Sequence, residues 1–216
     1  MNTKKYENRA YNFEIRSEKR DDGISTLRGT AIVYSSPTDI GGMFREIIEP
    51  GALIGANLRD VPLLVNHNAE MIPVARSRNN NANSTMRLTV SEIGLEMEAD
   101  LDTVRNETAR ALDSAVDRGD LDGMSFWFAV SEERWDDLDK DYPTRHILKF
   151  DTIREISAVT WPAYDATSIS QARSKDALDS ARSALENARR QIATSPDGDL
   201  ELAKAKFNYI KTLGGK

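Results

Sequence analysis

Residues 122–130 read DGMSFWFAV, and this run constrains the fold more than any other stretch of the chain. In a strand, side chains alternate between faces, so Met124, Phe126, Phe128 and Val130 form one wall while Ser125, Trp127 and Ala129 form the other. The first set reads as core. The second sets a single hydroxyl beside a large aromatic, where burial without a partner costs about 1–3 kcal/mol. Either Ser125 has a partner, or it is a small residue next to glycine where another backbone comes close.

The remaining strand signals surround that run. YNFEIRSE and STLRGTAIVYS form a hairpin across the Asp-Asp-Gly turn at 21–23. In GGMFREIIEPGAL, Glu49-Pro50-Gly51 marks a turn, and Ala52 to Asn57 reads as the opening of a short helix. DVPLLVNHN is a strand ending near His67, with Leu63, Val65 and His67 on one face. SRNNNANS is a polar, Asn-rich turn, and TMRLTVSEIGLEMEADLD gives two antiparallel strands around Ser91–Gly94. From Thr103 to Arg118 the period becomes helical, and Gly119 sits where a C-cap belongs. HILKF and IREISAVTW add one or two strands, closed by Pro162.

After about Thr167 the chain turns into a polar helical pattern with a thin apolar stripe, broken by Ser195-Pro196, with a short amphipathic segment beyond. We therefore divide the 216 residues into a body, 1–170, and a helical C-terminal appendage, 171–216. The net charge of −6 is uneven: the body carries −9 and the appendage +3. An acidic body lacks the clustered basic face that nucleic acid requires. No apolar stretch reaches the roughly 18 residues of a membrane span, and the basic start has no apolar signal segment after it, so neither a membrane nor export is expected. The absence of cysteine removes disulfides, thiolate metal sites and a thiol nucleophile.

The histidines are His67 and His146, and scarcity makes each informative. A serine acts as a nucleophile only if a base within hydrogen-bond reach takes its proton, and neutral imidazole is the usual base. A third group would orient the base and steady its charged form. Glu155 is the most suggestive acid: in TIREISAVTW, Ile153, Glu155, Ser157 and Val159 share one face and Arg154, Ile156, Ala158 and Thr160 the other. Pairing of Glu155 with a surface arginine is the plainer alternative. No His-x-x-x-His or His-x-His spacing offers a metal site, and no Gly-rich phosphate loop is present, so neither metal nor cofactor is expected. The GxSxG signature is absent too, since Trp127 stands at its last place, which argues against an α/β-hydrolase.

In order and spacing, GTAIVYSS, REIIEPGAL, DVPLLVNHN, GLEMEADLD, a helix, GDLDGMSFWF and REISAVTWPAYDAT resemble the tailed-phage prohead (procapsid) maturation proteases, which are related to the herpesvirus assembly protease. The resemblance runs from about residue 12 to 169. It implies a mainly β fold with α, a closed antiparallel β-barrel flanked by helices. Carried over by position, it implies a serine endopeptidase with Ser125 as nucleophile and His67 as general base. The place of the third member holds Glu155, with His146 as the rival. Ser125 would then be polar because His67 accepts its proton. The family often carries glycine where this chain has Trp127, and the related proteases lead one to expect oxyanion donors among the amides of Trp161 to Thr167.

The substrate so implied is the scaffold portion of the major capsid protein, cut inside the assembling procapsid in the host cytoplasm. Other procapsid components are the partners, and homo-oligomers are left open. The appendage would be a scaffold-binding or self-cleaved segment, or a plain helix docked on the barrel. A catalytically inactive structural or scaffolding protein of the same fold is the alternative function. A metal-dependent hydrolase is a third class, distinguished by activity that a chelator stops and that survives Ser125→Ala.

Overall fold

In the computed structural model, residues 5–11, 15–20, 22–160 and 171–194 are described. In chain order the elements are β1 (Glu7–Tyr11), β2 (Ile15–Lys19), β3 (Ile24–Val33), β4 (Thr38–Ile40), β5 (Phe44–Ile48), β6 (Val61–Val65), β7 (Ala75–Ser77), β8 (Met86–Val90), β9 (Gly94–Asp102), α1 (Glu107–Asp117), β10 (Gly123–Asp136), β11 (Thr144–Val159) and α2 (Gln171–Thr194). The expected hairpins at 21–23 and 91–94 are β2–β3 and β8–β9.

Two sheets carry the core. One runs β1-β10-β11-β5-β4, with β6 also on β11 and β7 on β6; the other runs β2-β3-β9-β8. Among the described residues no ladder joins them, so the expectation of a closed antiparallel barrel is corrected: the molecule is mainly β, but its sheets do not close. The cause lies in β11. Its first half pairs parallel to β5 (Thr144 to Ile147 against Arg45 to Ile48) and its second half parallel to β6 (Ile156 to Ala158 against Leu63 to Val65). One edge thus feeds two separate partners, and the sheet forks where a barrel would continue around.

The apolar face of β10 behaves as its alternation predicts: Met124, Phe126 and Phe128 are fully buried. Phe126, Phe128 and Phe150 pack ring against ring at 5.0–6.1 Å and join Leu27, Ile32, Leu63 and Leu101 in the main core. The expected β11 alternation fails at one point. Trp127 faces Glu155 while Phe128 faces Ile153, which leaves Arg154 as the extra residue of a bulge. Ile153 therefore turns to the core, where it is 1 % exposed, and no longer shares a face with Glu155.

Two helical readings of the sequence are corrected by the structure. Ala52 to Asn57 forms turns and no helix: Gly51 (φ 85°) and Gly55 (φ 82°) bracket bonds from Ala52 N–H to Glu49 O and from Ile54 N–H to Gly51 O. Helix α1 starts at Glu107 and not at Thr103, because the Asn106 side chain accepts from the Thr108 and Ala109 amides and caps it. The described side chains of α2 add a small separate cluster, with Ala181 and Leu185 against Ile40 and Phe44, and Met43, Trp135 and Leu138 alongside. The short segment expected beyond Ser195 lies outside the described residues.

Candidate functional site

The turn after β6 sets the imidazole. The strand ends at Val65, two residues before its expected end, and Asn66 (φ 53°) and His67 (φ 56°) both adopt left-handed backbone. Two consecutive non-glycine residues in that region need outside support. Asn66 provides it: its amide donates to Ala158 O (2.9 Å), its Oδ1 accepts from Thr160 N–H (3.1 Å), and its Nδ2 donates to Thr160 Oγ1 (3.2 Å). The His67 amide donates to Ser157 Oγ (3.1 Å), so the turn is tied to the end of β11 by both residues.

The carboxylate comes from β11. Glu155 is 3 % exposed, and one of its oxygens accepts from His67 Nδ1 while the other accepts from Ser157 Oγ (2.6 Å). An ionised carboxylate only accepts, so the ring donates from Nδ1 and its lone pair lies on Nε2. Ser157 is fully buried and touches both members, donating to the acid and accepting from the backbone of the base. Sequence alternation put Ser157 on the face of Glu155 but gave it no task.

Ser125 stands directly opposite Ser157 in the β10–β11 ladder. It and His67 thus flank β11 from its two sides, since β6 pairs with the edge that β10 leaves free. Ser125 is 1 % exposed, and its hydroxyl donates to the Arg9 carbonyl of β1 (2.8 Å). The partner sought for that hydroxyl is, in this structure, a neighbouring backbone and not His67.

His146 lies elsewhere. Its Nδ1 meets Glu49 (2.6 Å) and its Nε2 meets Asp136 (3.1 Å). Nine residues of β11 separate it from Glu155, about 30 Å of strand. The Glu155 carboxylate therefore meets His67, while the rival histidine is far from it, and the surface-arginine alternative for Glu155 does not hold.

A groove of about 730 Å³ opens beside His67, lined also by Tyr6, Asn8, Asn66, Asn68 to Glu70, Trp127 and Ser180 of α2. Strand β1 forms its far side, and a buried ionic cluster that sequence reading missed holds β1 in place. Arg9 bonds Glu46 (2.7 and 2.9 Å) and Glu7 (2.8 Å), while Arg145 bonds Glu7 (2.7 and 2.8 Å), Glu46 (3.0 Å) and Glu133. Burial alone would push the Glu7 carboxyl up, but the Arg145 and Arg9 guanidiniums overcome it and hold it at about 2. For Arg145, burial would pull the guanidinium down, and Glu7, Glu46 and Glu133 reverse this and raise it. Charge alternation in ENRAY and FREII was the available signal, and it did not show that the two segments meet.

Among the described residues no group of three His, Cys, Asp or Glu side chains is placed to hold a metal, and no helix is long and apolar enough to cross a membrane. The amides of Trp161 to Thr167 and the Pro-Ala-Tyr block lie outside the described residues.

Fold and site together define a two-sheet, mainly β protein in which a carboxylate-held imidazole and a strand serine flank the same β-strand. Residues 11–181 match the caudovirus prohead serine protease family, and the chain belongs to that family. It is 30% identical over 160 residues to the prohead protease of Enterobacteria phage HK97, a match covering 72% of this chain and 64% of that protein. The matched region thus spans a little under two thirds of the relative's length. No solved structure matches.

Proposed function

We propose that the protein is a serine endopeptidase that cleaves the scaffold portion of the major capsid protein, and possesses the means to cleave itself, during prohead maturation. Ser125 is the nucleophile, His67 the general base and Glu155 the group that orients the imidazole. The hydrogen bond between His67 Nδ1 and Glu155 carries the reading, because it fixes the tautomer whose Nε2 can take a hydroxyl proton. Ser125 Oγ attacks the peptide carbonyl carbon while its proton passes to Nε2. That proton then goes to the departing amine, and water, deprotonated by the same nitrogen, releases the acyl group.

For this the Ser125 hydroxyl must turn about its Cα–Cβ bond, away from Arg9 O. Breaking this buried hydrogen bond costs about 1–3 kcal/mol, which a new bond to Nε2 would offset. Catalytic contacts of this kind are commonly loose before substrate binds and tighten in the complex.

The same bond to Arg9 supports a second reading, an inactive structural protein of the procapsid with the same fold. Mass spectrometry after co-expression with the capsid protein separates the two. The native chain should yield capsid protein trimmed of its scaffold segment, and Ser125→Ala should leave it whole. Equal trimming by both, or by neither, removes the endopeptidase reading.

A further inference from the structure

The chemistry proposed above gives no role to the cation at the rim of the groove. Arg154 is the bulge residue between Ile153, which faces the core, and Glu155, which lies opposite Trp127 on the other face. Strict alternation would turn it to the core side; the bulge turns it to the groove side. There its guanidinium carbon lies 5.2 Å from the Tyr6 ring centre and 5.6 Å from the Trp127 ring centre. The two rings meet edge to face at 5.9 Å, and both line the groove that contains His67.

Arg154 is exposed, and among the described residues it makes no ion pair. The two rings restrict the flexible side chain before any ligand arrives, so little further freedom is lost on binding. Both contacts hold the guanidinium carbon beside the rings, and the guanidinium's N–H fork matches a carboxylate in two parallel bonds.

We propose that Arg154, steadied by Tyr6 and Trp127, forms a subsite that selects an aspartate or glutamate side chain of an extended peptide, a fixed number of residues from the bond that is cut. This rests on the endopeptidase reading. Glu70, on the loop beyond His67, is the charged side chain among the groove's lining residues and repels an acidic group there. The preference therefore belongs to one position of the peptide and not to its net charge. A glycine at position 127 would supply no ring, so the subsite is a property of this chain.

The test uses the full-length protein and a proteome-derived peptide pool, with cut sites read by mass spectrometry. The native chain should enrich Asp and Glu at a single position near the cut, by about fivefold, the scale of one exposed charge-assisted contact. Arg154→Glu should replace that preference with Lys and Arg at the same position, Arg154→Lys should keep part of it, and Trp127→Gly should weaken it. Thermal melts of each variant establish that it is folded; should Arg154→Glu fail to fold, Arg154→Lys and Trp127→Gly carry the comparison. No acidic enrichment, or the same enrichment in native and variant chains, overturns the subsite while leaving the protease reading intact. A pool left uncut by the native chain, or cut equally by Ser125→Ala, overturns that reading and the subsite with it.

Discussion

Glu155 and His67 lie 88 residues apart in the chain, and in the fold the carboxylate of a buried strand accepts the Nδ1–H of an imidazole held in a left-handed turn. An amide in place of the carboxylate would keep the shape but offer a donor as readily as an acceptor, so the ring would lose its fixed tautomer. Glu155→Gln should therefore slow peptide cleavage by about a thousandfold or more, the scale seen when the carboxylate behind a catalytic imidazole is lost. Steady-state kinetics on a peptide substrate checks this, with a thermal melt showing the fold retained.

Ser157 joins the same two residues from below, and its removal should be felt in turnover more than in binding. Ser157→Ala leaves the second Glu155 oxygen and the His67 amide without this partner, a loss of about 1–3 kcal/mol in orientation. The expected result is kcat lowered by about ten- to a hundredfold with KM little changed. Ser157→Thr, which keeps the hydroxyl, should recover most of the rate. A fall in melting temperature with kcat unaltered would make Ser157 a packing residue alone.

What the sequence made legible follows from range. Period-two and period-3.6 patterns are local, and they locate β2, β3, β6, β8, β9, β11, the first half of β10 and α1 to within a few residues, whereas the three-residue strands β4 and β7 are too short to carry a pattern. The Arg154 bulge hides from them because one extra residue inverts every face beyond it: Ile153 reads as a neighbour of Glu155 and is in fact core. The forked pairing of β11 hides for another reason, since which strands meet depends on contacts among segments about a hundred residues apart. His67 and Glu155 were legible as residue types suited to one task. Their meeting was not, because it depends on two left-handed residues that no pattern marks beyond the asparagine itself.

The cluster around Glu7 should make stability depend on acid. The Glu7 carboxyl lies at about 2 in the fold against 4.5 without it, so between those values the unfolded chain binds the extra proton and stability rises with pH. Its contribution is complete above about 4.5 and is lost as pH falls through 2. Urea melts from pH 7 to pH 2.5 should show this loss, and Glu7→Gln should be less stable at pH 7 yet flatter across the same range. Arg145→Met, which leaves Arg9 as the one cation bonded to both Glu7 and Glu46 in a buried site, should cost about 3–5 kcal/mol at neutral pH.

The described part of α2 offers a separable test of how the appendage is attached. Ala181 and Leu185 sit one helical turn apart, and with Ile40 and Phe44 they form a cluster detached from the main core. Leu185 is 7 % exposed, so Leu185→Ala should cost about 2 kcal/mol, the low end for a buried leucine, because this small cluster can partly collapse into the space. Ala181 is fully buried, and Ala181→Asp would place an unpaired charge against Phe44. If α2 docks as an independent unit, that change should release the helix while β10 and β11 keep their protection in hydrogen exchange. Loss of protection in β10 and β11 as well would mean that the helix and the sheet bearing Ser125 and Glu155 fold as one.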